Sequence, residues 1–190
     1  MLNKIILVLF LSVFTTNLFA SNKPQVLITT NKGNIELELN AEKAPKTVAN
    51  FLQYVNNGFY SGTVFHRVIK NFMIQGGGFT EDLIKKSTLA EVPNEAFNGL
   101  QNTRGSIAMA RTNMPHSATA QFFINTKDNA FLNHSGKSMR GWGYTVFGKV
   151  TKGIDVVDAI ENSRTGAKGI FPKDVPLEPV IIHSIKIIKE

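Results

Sequence analysis

An arginine, a methionine and a glutamine interrupt an apolar strand pattern in FHRVIKNFMIQGGGF, residues 65–79: Arg67, Met73 and Gln75. Burying a guanidinium or an amide on an apolar face costs free energy unless the group is hydrogen-bonded. Arg67 and Gln75 are therefore expected either at a rim or inside a site, where they can donate hydrogen bonds to a ligand. A structural arginine paired with a carboxylate is the alternative, and the segment contains no acidic residue to pair with Arg67.

A second segment, GSIAMARTNMPHSATAQFFIN, again places an amide beside an aromatic ring. Gln121 and Phe123 are two residues apart and share one face of a predicted strand. The preceding loop, residues 111–120, is rich in small and polar residues and contains Pro115. Such a loop is typical of a binding loop held on a rigid scaffold.

The elements that must position these segments are mostly strands. VLITTNKGNIELEL consists of two alternating runs around a four-residue turn, with Ile35, Leu37 and Leu39 on one face and Glu36 and Glu38 on the other. This pattern predicts a hairpin with one face in water.

Two amphipathic helices are also predicted. Pro45 suits the first turn of one helix and Gly58 is placed to end it, with apolar residues between them at i, i+3, i+4 and i+7 spacing. GIDVVDAIEN, residues 153–162, has apolar residues at three-residue spacing and is the second candidate. Many strands with two helices indicate either a closed antiparallel barrel or a sandwich, because closure removes exposed strand edges. The pattern leaves both open.

Composition narrows the class of protein. A chain of 190 residues with 43% hydrophobic side chains describes one globular domain. The net charge of +7 comes from scattered basic residues, which argues for solubility and against nucleic-acid binding. The four histidines lack metal-ligand spacing, and there is neither a cysteine nor a G-x-S-x-G motif. No metal, no cofactor and no serine hydrolase chemistry is therefore expected.

The first twenty residues have the pattern of a secretory signal peptide. Lys4 precedes an apolar run over residues 5–14, and Ala20 precedes Ser21. An uncleaved membrane anchor is the alternative, but the run is shorter than the roughly 20 apolar residues that a spanning helix needs. We expect cleavage after residue 20, a mature domain over residues 21–190, export to a bacterial periplasm and no stable membrane association afterwards.

Three segments carry a family resemblance. FHRVIKNFMIQGGGF, MARTNMPHSATAQFFIN and the later YTVFGKV resemble the signature segments of the cyclophilins, which are peptidyl-prolyl cis-trans isomerases, and most closely those of the exported bacterial branch. The resemblance covers essentially the whole mature chain. It implies a mainly β fold, a closed eight-stranded antiparallel barrel capped by two α-helices.

The resemblance also implies the site. Arg67 would be the catalytic arginine and Gln75 its polar neighbour. An apolar pocket for proline would be formed by Phe72, Met73, Phe123 and Leu132. The rest of the groove would be lined by Ala110, Arg111, Thr112, Gln121, Phe131 and Tyr144. Arg111 would act mainly through its backbone, and His66, on the opposite strand face from Arg67, is expected to be a core histidine or one that supports the site.

The implied activity is rotation of X-Pro bonds by a monomer, with proline-containing unfolded or partly folded polypeptides as substrates.

Phe131 stands where cyclosporin-sensitive members have tryptophan, so weak cyclosporin binding is expected. One alternative is a proline-binding chaperone or adaptor with little catalysis, which has less need of Arg67. The other is a small-ligand carrier, which leaves Arg67, Gln75 and Gln121 without a shared purpose. Trp142 is expected to pack on the surface as a loop aromatic, with contact to a partner as its alternative.

Overall fold

The computed structural model describes residues 23–189, so the predicted signal peptide lies outside the described residues. The strands in this part of the chain are β1 Gln25–Thr30, β2 Gly33–Leu39, β3 Thr63–Ile69, β4 Met73–Thr80, β5 Ser106–Met109, β6 Phe122–Asn125, β7 Val146–Lys152, β8 Thr165–Lys168, β9 Phe171–Pro176 and β10 Ile181–Lys189. Eight of them close into an antiparallel barrel in the order β1-β10-β3-β4-β6-β5-β7-β2, and β8 and β9 pair as a separate hairpin. The eight-stranded barrel is confirmed, and the sandwich is not the fold.

The first hairpin forms as its alternation predicts. Ile35, Leu37 and Leu39 on β2 are fully buried in the main core. Glu36 and Glu38 point to the outer face, where Glu36 pairs with Lys152 Nζ at 3.0 Å. Because one face is apolar and the other charged, only one register buries the apolar set.

Two α-helices in the described part of the chain pack on the barrel: α1 Pro45–Asn56 and α2 Ile154–Glu161. Proline stands in the first turn of α1, and Gly58, just beyond its end, has a φ of 63° that favours glycine. Val157 and Ile160 of α2 are fully buried. Both helix predictions are confirmed. Between residues 23 and 189, no helix is long and apolar enough to cross a membrane.

The apolar residues divide between two faces of the strands. Ile74 on β4 and Ile124 on β6 belong to the main core inside the barrel. Their strand neighbours Met73 and Phe123 belong to a second, smaller cluster. Since successive side chains on a strand point to opposite faces, the second cluster lies on the outer face of β4 and β6. This outer cluster forms the floor of the candidate site.

Strict alternation along β3 predicts that Phe65, Arg67 and Ile69 share one face, and this prediction is wrong for Phe65. The pairing of β3 with β4 is irregular between Phe65 and Arg67. Phe65 therefore packs in the main core, whereas Ile69 packs against the outer cluster. An extra residue in one strand reverses the faces beyond it.

Candidate active site

A cavity of about 100 Å³ opens on the outer face of β3, β4 and β6. Nine of the twelve predicted site residues line it: Arg67, Phe72, Met73, Gln75, Ala110, Arg111, Phe123, Leu132 and Tyr144. They come from strands, from the loop after β5, from a short 3-10 helix at Ala130–Leu132 and from the segment before β7. The fold thus assembles residues that are up to 77 positions apart, from Arg67 to Tyr144.

Three polar side chains form a hydrogen-bonded row along one wall. Arg67 Nη1 donates to Gln75 Oε1 at 3.3 Å, and Gln75 Nε2 donates to Gln121 Oε1 at 3.0 Å. Within residues 23–189, Arg67 has no carboxylate partner among the ion pairs. A neutral amide takes one of five N–H donors and leaves the charge of the half-buried guanidinium uncompensated. This wall can therefore donate hydrogen bonds to a ligand.

Of the three glycines in the middle of β4, Gly78 makes room for this row. A Cβ on Gly78 would lie 2.6 Å from Gln121 Cδ, closer than two carbons can approach. Gly77 has a φ of 78°, and a Cβ there would lie 2.8 Å from the rings of Tyr60 and Phe122. Glycine at 78 is thus needed for the position of Gln121, and glycine at 77 for the backbone and the core.

The opposite wall and floor are apolar. Met73, Phe123 and Leu132 are buried and form the floor of the cavity. The ring of Tyr144 contacts the ring of Phe123 edge-on, with 5.6 Å between the ring centroids. Rigid aromatic and aliphatic groups on three sides leave space for a small apolar ring.

Phe131, Gln121 and Thr112 are the predicted site residues that do not line this cavity. Phe131 stacks on Phe72 at 5.6 Å but is 73% exposed, which places it at the rim. Gln121 is not part of the cavity lining but accepts a hydrogen bond from Gln75 Nε2. Thr112 Oγ1 shares a 2.7 Å hydrogen bond with Ser117 Oγ, so Thr112 orders the loop.

The side chain of Arg111 has a role that the sequence patterns do not indicate. Its Nε donates to the carbonyl of Gly143 at 2.9 Å, and its Nη2 donates to the carbonyl of Met139 at 3.1 Å. The guanidinium also lies 4.7 Å from the centre of the Tyr144 ring. Besides its backbone, Arg111 thus contributes a guanidinium that ties two loops together. The acceptors are main-chain carbonyls, which carry no side-chain signature in a sequence.

A buried chain of asparagines, also not indicated by the sequence patterns, supports the apolar wall. Asn129 Nδ2 donates to the carbonyl of Phe72 at 2.8 Å and to Asn125 Oδ1 at 2.7 Å. Asn125 Nδ2 in turn donates to Asn102 Oδ1 at 3.2 Å. Because buried amides need partners, this network holds Phe72 in a defined position.

His66 is buried away from the cavity, but it packs against Phe171 of the separate hairpin and not inside the barrel, so the prediction that it lies on the strand face opposite Arg67 is wrong. It is 2% exposed, and its ring packs against Phe79 at 4.6 Å and Phe171 at 5.5 Å. Burial, with a smaller effect from the Arg67 charge, lowers the pKa of His66 to about 4. The imidazole is therefore neutral at pH 7.

Trp142 packs against His116, at 4.6 Å between ring centres, and against His134 at 5.5 Å. The prediction of a packed loop aromatic is confirmed.

Between residues 23 and 189, no group of three or more side chains of the metal-binding type comes together.

The chain is similar to known proteins in sequence and in fold. Residues 25–187 match the family described as cyclophilin type peptidyl-prolyl cis-trans isomerase. A peptidyl-prolyl cis-trans isomerase of Streptomyces antibioticus is 63% identical over 86% of this chain and 98% of its own length. Peptidyl-prolyl cis-trans isomerase A of Dickeya dadantii is 52% identical over 98% of this chain and 96% of its own.

A solved structure is also similar. The Cryptosporidium parvum cyclophilin type isomerase, crystallised in the presence of the dipeptide Ala-Pro, has a TM-score of 0.70 and 29% identity. The match covers 87% of this chain and 99% of that one. The chain described above belongs to the cyclophilin-type peptidyl-prolyl cis-trans isomerase family and is an enzyme of that class.

Proposed function

We propose that this enzyme accelerates X-Pro rotation in exported proteins while they fold, and that Arg67 supplies the transition-state hydrogen bond. Its substrates are proline-containing unfolded or partly folded polypeptides, and it works as a monomer. Uncatalysed X-Pro exchange takes tens to hundreds of seconds, which is slow enough to limit folding.

The observation that carries the proposal is the state of Arg67, a half-buried guanidinium hydrogen-bonded to an amide and lacking a carboxylate partner in the described chain. The rotational barrier of about 18–20 kcal/mol arises from amide resonance. In the twisted transition state the proline nitrogen becomes pyramidal and regains a lone pair. A guanidinium N–H of Arg67 donates to that lone pair, an interaction that the planar ground state cannot make.

The apolar wall and the amides have complementary tasks. The pyrrolidine ring of proline enters the cavity between Met73, Phe123 and Leu132. Gln75 Nε2 keeps one hydrogen beyond its bond to Gln121, and with the backbone of the 111–120 loop it holds the flanking peptide carbonyls. Rotation breaks no covalent bond, so the reaction requires no metal or cofactor.

The second candidate function is a proline-binding chaperone or adaptor with little catalysis. It is favoured by apolar side chains beside the cavity, since Phe131 is 73% exposed and Met139 is 58% exposed. Such residues hold unfolded chains without any need for a guanidinium. The charge of Arg67 favours catalysis.

Export is supported by the N-terminal pattern of Lys4, the apolar run and Ala20 before Ser21. The family match covers residues 25–187 and so begins after this segment.

The test of the function is the exchange rate of a short Ala-Pro peptide, measured by magnetisation transfer with and without the protein. We expect acceleration that saturates with peptide and is nearly absent with Arg67→Ala. Binding of the peptide without acceleration would favour the chaperone instead. Neither binding nor acceleration would overturn both candidates.

A further inference from the structure

A second cleft adjoins the proline cavity. It encloses about 540 Å³ and shares Arg111, Leu132 and Tyr144 with the smaller cavity. The two spaces therefore lie next to each other, with these three residues between them. A polypeptide whose proline occupies the first cavity places a neighbouring residue in the second.

The second cleft is lined by two arginines, Arg111 and Arg140, and by no acidic residue. The ion pairs found between residues 23 and 189 involve neither arginine. Both cations therefore face the cleft without a counter-ion from the described chain.

The hydrogen bonds of Arg111 do not neutralise it. Its acceptors are the main-chain carbonyls of Gly143, Thr112, Asn113 and Met139, and all of them are uncharged. Four bonds leave one of the five guanidinium N–H donors free. Arg111 is thus held in place with its charge intact.

We propose that this cleft recognises an acidic side chain, aspartate or glutamate, close to the proline of the substrate. This inference rests on the proposed function. Arg111 is already immobilised, so its one free N–H donor can bond one carboxylate oxygen with little loss of side-chain freedom. The guanidinium of Arg140, in the same cleft, can donate to the other oxygen. Phe131 and Met139, also in the wall, contact the methylene groups of the acidic residue.

The test is a set of blocked peptides with Ala-Pro at the centre. Glutamate, glutamine or lysine stands either directly after the proline or two residues before it. We expect kcat/KM for glutamate to exceed that for glutamine by about two- to fivefold at one of these positions, the range of a partly exposed ion pair. Lysine should be the poorest, and the differences should shrink in high salt.

Two variants locate the effect. Arg140→Gln should bring the glutamate-to-glutamine ratio towards one. Lys137→Gln removes the same charge from the same loop but from a residue outside the cleft, and should leave the ratio unchanged. Because each ratio compares two peptides on one protein, a loss common to both peptides cancels.

Each outcome has a separate meaning. Equal rates for glutamate and glutamine at both positions would overturn the acidic preference and leave the isomerase function standing. An equal fall of the ratio in both variants would also overturn it, because the general positive charge of the protein would then be the cause. Failure to accelerate any peptide would instead contradict the proposed function itself.

Discussion

Arg67 and Gln75 face each other across β3 and β4, and Arg67 Nη1 donates to Gln75 Oε1 at 3.3 Å. This distance is at the long end for an N–H···O bond, so the amide orients the guanidinium but binds it weakly. Gln75 is itself held by Gln121 at 3.0 Å. The pair therefore presents a positioned cation that retains most of its donors.

Removing this cation should abolish most of the activity. We expect Arg67→Ala to lower kcat/KM by about 10² to 10³, on the order of 3 to 4 kcal/mol, as for other preorganised donors to a transition state. The loss should appear mainly in kcat. Arg104→Ala, which breaks the exposed pair with Asp158, is the control and should keep full activity. An Arg67→Ala protein that is folded and nearly as active as the parent would contradict the mechanism.

A side chain at position 78 should displace Gln121 and thereby lower the activity. In Gly78→Ala the new Cβ would displace Gln121, and Gln75 would lose a partner. One hydrogen bond contributes about 0.5–1.5 kcal/mol, so kcat/KM should fall about two- to tenfold. Gly166→Ala, on the separate hairpin, is the control, because its Cβ would meet only the side chain of Leu177. Equal activity of the two variants would show that the row is not needed.

The buried His66 should make the protein less stable in acid. Unfolded His66 takes up a proton below about pH 6.5, whereas the folded protein, with a His66 pKa of about 4, does so only well below that. Protons therefore favour the unfolded state across this window. The free energy of unfolding should fall by up to about 3 kcal/mol between pH 6.5 and pH 4 through this group alone.

Urea unfolding at several pH values measures the effect. In His66→Phe the ring stays among Phe79 and Phe171, and the fall between pH 6.5 and pH 4 should be smaller by that amount. His183→Gln, at an exposed histidine, should leave the fall unchanged. If His66→Phe kept the full pH dependence, other groups would have to be responsible for it.

Cyclosporin should inhibit this enzyme poorly. Phe131 is 73% exposed at the rim and offers a ring without an N–H. A drug carbonyl that loses its water without gaining a donor costs about 1–3 kcal/mol, which is about 5- to 150-fold in affinity. Phe131→Trp should restore that affinity with little change in peptide turnover. Titration of the drug in one assay compares the two proteins, and tight inhibition of the parent would refute the expectation.

The N-terminal segment should direct export. In a bacterial host, protein released by osmotic shock should begin at Ser21, as determined by mass spectrometry of the intact chain. Replacing an apolar residue of the run with arginine, as in Leu9→Arg, should retain the protein in the cytoplasm. Membrane-bound material that still carries Met1 would point to an uncleaved anchor.

Local sequence patterns were sufficient to predict the first hairpin and the two helices of this protein. Alternation along Ile35, Leu37 and Leu39 predicts a half-buried strand, and the spacing of Val48, Phe51 and Val55 predicts α1, because these periodicities follow from backbone geometry alone. The signature segments were sufficient for the family, and through it for a hypothesis of the site, nine of whose twelve residues line one cavity. These features depend on residues that are neighbours along the chain.

Tertiary structure decided what depends on contacts between distant segments. The irregularity beside Arg67 sends Phe65 inwards, and only the pairing of β3 with β4 determines it. Closure of the barrel, rather than a sandwich, likewise depends on pairing between strands distant in sequence, such as β1 with β10. Sequence placed Arg111 in the site, but it did not predict the hydrogen bonds from its side chain to the carbonyls of Gly143 and Met139. Every residue has the same main-chain acceptor, and only the folded chain brings particular carbonyls within reach of a given donor.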